Sequence, residues 1–312
     1  MGDTYPARGL IVELISPITN GKIDGRGLGR LLDRVLPHVE MVYLFSPYGG
    51  MGRELNVDLR EELFDKSLVV IKGRVPIMVW ITQDSKEDTK KTLTTLKRRV
   101  KKRRYSDPVL WVDSPLLYHS NRGLMDNYRE LLELVSEPFL LHNIPDLVRD
   151  LNRPFKRKNI RTSILKELIK LENIKGLIHS GKIDRAQNYQ KAVSHREDFR
   201  IYDGNEANFL RFPSMSGVVS VGANLSPKNW HRITHFSIES IDTDGQYPDE
   251  LKQIWRYGQY VMRLLELYRP FPSEIIRGVL SKMGILKEGN INPGLDKSID
   301  KIIDLMKEYH DH

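Results

Sequence analysis

Lys175-Gly176-Leu177-Ile178-His179-Ser180-Gly181 is a short apolar run that stops at a polar turn. A run this brief, bounded by turn residues, suits a strand buried on both faces better than a helix. The same design recurs at Leu10 to Ile15, Val39 to Phe45, Pro76 to Ile81, Val109 to Val112, Pro138 to Asn143, Phe199 to Tyr202 and Gly217 to Val221. Between most of these strands, apolar residues return at helical spacing. Leu28, Leu31, Leu32, Val35 and Leu36 form one such set, and Leu59, Leu63 and Val70 another. Ser85 stands where an N-cap belongs. Uninterrupted apolar strands alternating with helices predict a parallel sheet, and eight alternations predict a closed (β/α)8 TIM barrel over residues 1–224. Residues 225–312 read as the final barrel helix and a C-terminal helical extension, with long helices over Pro248 to Tyr268 and Leu295 to Tyr309.

The chain has 312 residues, enough for a substantial core. It has no cysteine, which excludes disulfides, thiolate catalysis and Cys-type zinc sites. Neither a signal-peptide layout nor a membrane-length apolar run is present, so the cytoplasm is the default location and no membrane partner is expected. Lys and Arg outnumber Asp and Glu by 49 to 41. Much of the excess lies in Lys97-Arg98-Arg99-Val100-Lys101-Lys102-Arg103-Arg104. No aromatic residue interleaves this run, so it reads as a solvated helix end, where cations suit the macrodipole, rather than as a nucleic-acid surface.

Several stretches resemble, in order, the dihydrodipicolinate synthase / N-acetylneuraminate lyase family. They are Leu14-Ile15-Ser16-Pro17-Ile18-Thr19-Asn20-Gly21, Gly49-Gly50-Met51-Gly52-Arg53-Glu54-Leu55, Leu141-His142-Asn143-Ile144-Pro145, Asp203-Gly204-Asn205-Glu206, Gly217 to Asn224, and Arg269-Pro270-Phe271-Pro272. The resemblance implies a TIM barrel and a homodimer or homotetramer. It also implies Schiff-base aldol chemistry on pyruvate-like oxo acids or sugar acids, with no cofactor and no metal. In that chemistry a desolvated lysine condenses with a ketone, a tyrosine shuttles protons, and loop amides hold the carboxylate.

The opening stretch departs from this pattern. The family's Gly-Leu-Lys-Asp-Ser-Ser-Gly corresponds to Gly176-Leu177-Ile178-His179-Ser180-Gly181, one residue shorter, and Ile178 stands where the nucleophile should be. Lys175 has the wrong strand parity, and Lys182 lies past the turn. The family's strand-five tyrosine becomes His142, a loop threonine becomes Tyr48, and an interface tyrosine becomes Leu117 beside Tyr118. An arginine becomes Leu147, with Arg149 two residues on, and a small strand-three residue becomes Trp80, which should narrow the pocket.

What remains is a candidate acid/base pair, His142 and Tyr48, and candidate substrate contacts at Ser16, Gly49, Gly50, His179, Gly204 and Glu206. His142 and His179 titrate near neutrality when unperturbed, and against a functional role stands the reading of a satisfied core histidine, which weighs more for His179 than for His142. Combined with Asp113, Glu206 or Tyr48 they lack any metal-binding spacing. The reading is a divergent family member that binds a small oxo acid or sugar acid, with Schiff-base chemistry lost. Its rivals are a lyase running a non-standard reaction through His142 and Tyr48, and a non-catalytic structural or regulatory homologue whose barrel is plugged by Trp80, Leu116 and Leu117.

Overall fold

The computed structural model describes residues 6–151, 157–213, 216–242, 248–289 and 292–311. Eight parallel strands close into a barrel. They are β1 (Gly9–Glu13), β2 (Met41–Leu44), β3 (Ile77–Trp80), β4 (Val109–Asp113), β5 (Phe139–Asn143), β6 (Ile174–His179), β7 (Arg200–Asp203) and β8 (Gly217–Ser220). Each strand pairs with its sequence neighbours, and β8 returns to β1, so the TIM barrel expected from the alternation is the fold observed. Nearly every strand residue is buried, because helices cover the outside and side chains fill the inside.

The closing seam depends on glycine. Gly9 and Gly217 face each other at the start of β1 and β8, with φ of 136° and 121°. A Cβ on Gly217 would lie 1.9 Å from the Gly9 carbonyl oxygen, so only glycine lets these strands approach. At the other end, Asn224 accepts from the Ile15 amide at 3.2 Å and donates to the Glu13 carbonyl at 2.8 Å, tying β1 to the turn after β8.

Helix starts follow the capping residues in the sequence. Asp24, Asn56 and Ser85 each accept from an amide of the first turn, satisfying a donor that the helix leaves open. Asp24 also accepts from the Lys287 amide at 2.9 Å, which fastens the C-terminal part of the chain to the first barrel helix. Helices Pro227–Asp242, Pro248–Tyr268, Pro272–Lys282 and Asp296–Glu308 follow the last strand. Asp311 accepts from the Ser226 and Tyr260 hydroxyls and so docks against helix Pro248–Tyr268 and the residue that precedes helix Pro227–Asp242. None of the described helices is long and apolar enough to cross a membrane.

The basic run lies in helix Lys86–Arg103 and its αL cap, Arg104. Arg99 Nε donates to Glu61 at 2.9 Å and Arg103 Nε to Asp65 at 2.6 Å, both acceptors on the preceding helix, Val57–Ile71. Lys97 Nζ donates to the Leu134 carbonyl at 2.9 Å. Much of this charge is therefore spent between neighbouring barrel helices.

Candidate functional site

The polar residues gather at the C-terminal ends of the strands, the face on which TIM-barrel sites form. Glu13 ends β1, and its carboxylate turns into the loop after β2. It accepts from the Ser46 hydroxyl at 2.6 Å and the Gly49 amide at 2.7 Å. Ser46 in turn accepts from the Gly50 amide at 2.8 Å, and Ser16 donates to the Gly50 carbonyl at 2.6 Å. The loop is thus a carboxylate cradle, and a carboxylate of the same chain occupies it. Burial raises the Glu13 pKa, while the Ser46 hydroxyl and the Gly49 and Tyr48 amides pull it back. Ser16, Gly49 and Gly50 are brought together as the sequence suggests, but both glycine amides already have acceptors within the protein.

His142 lies on β5 beside Ile178 of β6 in register. Its Nδ1 is 3.0 Å from the Tyr43 hydroxyl and its Nε2 is 3.0 Å from the Ser180 hydroxyl. Both ring nitrogens therefore have partners. Burial pushes the pKa of His142 down to about 3, so the ring is neutral near pH 7. His179 is held similarly. Its Nε2 lies 3.1 Å from the Lys182 carbonyl, which fixes the proton on that nitrogen, and Nδ1 then accepts from Asn143 at 3.0 Å. Burial lowers its pKa to about 4.

Tyr48 is not hydrogen-bonded to His142, whose two ring nitrogens are engaged by Tyr43 and Ser180. It is 40% exposed, whereas His142 is 4% exposed. Gly204 lies against the turn after β6, where a Cβ would fall 2.1 Å from Ser180 Oγ and 3.0 Å from Ile178 Cγ2. Glu206 forms a separate cluster. It accepts from Ser220 at 2.6 Å, the Gly222 amide at 2.8 Å and the Tyr268 hydroxyl at 2.8 Å. Burial raises its pKa to about 7 despite these bonds.

Ile178 is fully buried. Lys175 sits at the far end of the same strand, with Nζ 2.8 Å from Asp198. Lys182 is exposed beyond the turn. Among the described residues no cluster of three or more His, Asp or Glu is arranged to hold a metal ion.

A cavity of about 420 Å³ remains at the barrel mouth. Trp80, Leu117, Leu147 and Leu151 give it apolar walls, and Arg53, Glu54, Thr82, Gln83 and Asp84 supply polar groups, one cation and two carboxylates among them. Trp80 is fixed there by a 2.9 Å bond from its indole N–H to Ser114 Oγ and by the buried Arg60 guanidinium, 5.7 Å from its ring. Thr82 is fixed by Asp113, which accepts its hydroxyl at 2.6 Å and those of Tyr118 and Tyr128 at 2.9 Å each. The sequence reading singled out Trp80, Leu117 and Leu147 but not Glu13, Tyr43, Arg53 or Thr82. For Glu13 the signal was available: a carboxylate inside an apolar strand needs built-in partners.

The chain is 26% identical over 304 residues to a 4-hydroxy-tetrahydrodipicolinate synthase of Thermotoga neapolitana, with 96% of each chain covered. One from Alkaliphilus oremlandii is 22% identical over 306 residues, covering 96% of this chain and 98% of the other. Among solved structures, a dihydrodipicolinate synthase variant described as monomeric superposes with a TM-score of 0.82 over all of both chains, at 19% identity. A dihydrodipicolinate synthase from Acinetobacter baumannii, complexed with pyruvate, gives 0.76 at 18% identity, covering 98% of this chain and 99% of that one. The structural likenesses establish the fold. The sequence pattern of the Dihydrodipicolinate synthetase family matches residues 6–257, which takes in the whole barrel and all the strand-end landmarks above, and this chain belongs to that family.

Proposed function

We propose that this family member binds a small oxo acid or sugar acid in the mouth cavity and forms no Schiff base with it. The observation that carries this reading is Ile178. It stands where the resemblance places the nucleophilic lysine, is fully buried, and has no lysine amine beside it among the described residues. An alkyl side chain cannot form an imine.

The cavity supports the binding half. Its volume of about 420 Å³ falls in the usual range for small-molecule sites, roughly 300–1,000 Å³. Arg53 has no carboxylate partner among the described residues, and a guanidinium matches a carboxylate in two-point geometry. Gln83 offers hydrogen-bonding groups for ligand hydroxyls or a carbonyl, and Asp84 an acceptor for ligand hydroxyls, while the Thr82 hydroxyl is already committed to Asp113 and the Ser114 amide. The engagement of both His142 ring nitrogens by Tyr43 and Ser180, not Tyr48, weighs against a lyase reaction run by the His142–Tyr48 pair. The plugged-barrel reading is favoured by one observation, the closed polar contact of His142 with both Tyr43 and Ser180 inside the barrel.

Titration with pyruvate and with a sugar acid, followed by tryptophan fluorescence, tests the proposal, because Trp80 lines the cavity. Saturable quenching that weakens at least tenfold in Arg53→Ala is expected. No fluorescence change and no calorimetric heat at millimolar ligand would sink it in favour of the plugged barrel.

A further inference from the structure

A second opening, of about 620 Å³, lies on the same face of the barrel but shares no residue with the mouth cavity. Its walls are Arg157, Lys158, Asn159, Ile160, Arg161, Thr162, Ser163 and Arg185, so its lining holds four cations, two hydroxyls and no acid. Unlike Arg99 and Arg103 of the basic helix, none of these four side chains has a carboxylate within ion-pairing distance among the described residues.

The backbone of Asn159, Ile160 and Arg161 is held in place. Asn143, at the end of β5, accepts from the Ile160 amide at 3.0 Å and donates to Asn159 Oδ1 at 2.8 Å. Asn121 accepts from the Arg161 amide at 2.8 Å and donates to the Asn159 carbonyl at 3.1 Å. Tyr189 donates to the Ile160 carbonyl at 2.6 Å. Arg185 stands across the opening, its guanidinium 6.0 Å from the centre of the Tyr189 ring. Like charges gathered in one opening without carboxylate partners repel one another, and a multiply charged anion offsets that cost.

We infer that the pocket formed by Arg157, Lys158, Arg161 and Arg185 is a binding site for a phosphate-bearing small molecule. A phosphate suits it better than a single carboxylate. It carries nearly two negative charges and presents three acceptor oxygens to converging arginines and to the Thr162 and Ser163 hydroxyls. The site shares no lining residue with the mouth cavity, so it stands whether or not that cavity binds an acid.

Calorimetric titration of the full chain with inorganic phosphate, ribose 5-phosphate and succinate tests the inference. Saturable, salt-sensitive binding of one or both phosphates is expected, weaker by at least tenfold in Arg161→Ala/Arg185→Ala and unchanged in Lys102→Ala. Tighter binding of the ester than of inorganic phosphate identifies a phosphate ester as the ligand, and equal binding identifies free phosphate. The double variant alters only an exposed and a half-buried side chain, and circular dichroism checks that it folds. Absence of binding, tighter binding of succinate, or equal binding by the double variant would overturn the inference. So would tight binding of a single-stranded RNA without binding of either phosphate, which would assign the patch to nucleic acid.

Discussion

The Tyr43 hydroxyl lies 3.0 Å from His142 Nδ1, although β2 and β5 are not neighbours in the barrel. The bond therefore crosses the barrel interior. With Ser180 on the other ring nitrogen, it turns what could be a reaction chamber into a satisfied polar core. Replacing the ring with alanine leaves a cavity and strands the Tyr43 hydroxyl. His142→Ala should lose about 2–4 kcal/mol in stability. Urea unfolding at pH 7.5 measures it, and a loss below about 0.5 kcal/mol would show that the bond contributes nothing.

The same burial predicts a pH dependence. His142 and His179 have pKa values of about 3 and about 4 in the folded chain, against about 6.5 unfolded. Below pH 6.5 the unfolded chain takes up protons that the folded chain does not. The stability that the neutral rings contribute is thus present above pH 6.5 and lost as pH falls toward 4, by up to about 1.4 kcal/mol per pH unit for each ring. Glu206 acts with the opposite sign. Its pKa, raised to about 7, contributes stability below about 4.5 that is lost as pH rises through 7. The clean measurement is therefore a difference. His142→Phe should show a shallower fall in stability between pH 6.5 and 5 than the unaltered chain, and identical slopes would refute the assignment.

Glu13 occupies the cradle that the resemblance assigns to a substrate carboxylate. Glu13→Ala should lose about 2–3 kcal/mol, since it removes charge-assisted bonds to Ser46 and Gly49. It should also open a space with two donors aimed into it. Acetate should then raise the melting temperature of the variant more than that of the unaltered chain. Equal shifts in the two proteins would mean that the loop collapses when Glu13 is lost.

Restoring the lysine alone should not restore chemistry. Ile178→Lys puts an ammonium among His142, Gly204 and Ser180, with no carboxylate hydrogen-bonded to any of them. The variant should be destabilised by roughly 3 kcal/mol or more and remain unable to form an adduct with pyruvate. A stable variant that reacts would show that the site lacks only its nucleophile.

The barrel was legible because each strand is a brief apolar run ended by turn residues. Ser85 caps its helix as expected, and the long helix over Pro248–Tyr268 has the bounds read from the sequence. The hairpin of Ile18–Thr19 with Lys22–Ile23 was not legible, because arms of two residues leave no alternation to read. Helices Pro145–Asp150 and Glu206–Arg211 are too short to show a period. In the site, Ile178, Trp80 and Leu147 were visible as departures from a pattern. The occupation of the cradle by Glu13 was not, because it depends on how the loop after β2 folds back over β1. The mouth cavity was hidden for a similar reason, since its walls come from the loops after four different strands.

The central claim is that this barrel has no Schiff-base lysine. Borohydride reduction in the presence of pyruvate, followed by intact-mass and peptide mass spectrometry, tests it most directly. The unaltered protein should show no covalent adduct at any lysine. A stoichiometric reduced adduct, above all on Lys182, would contradict the account.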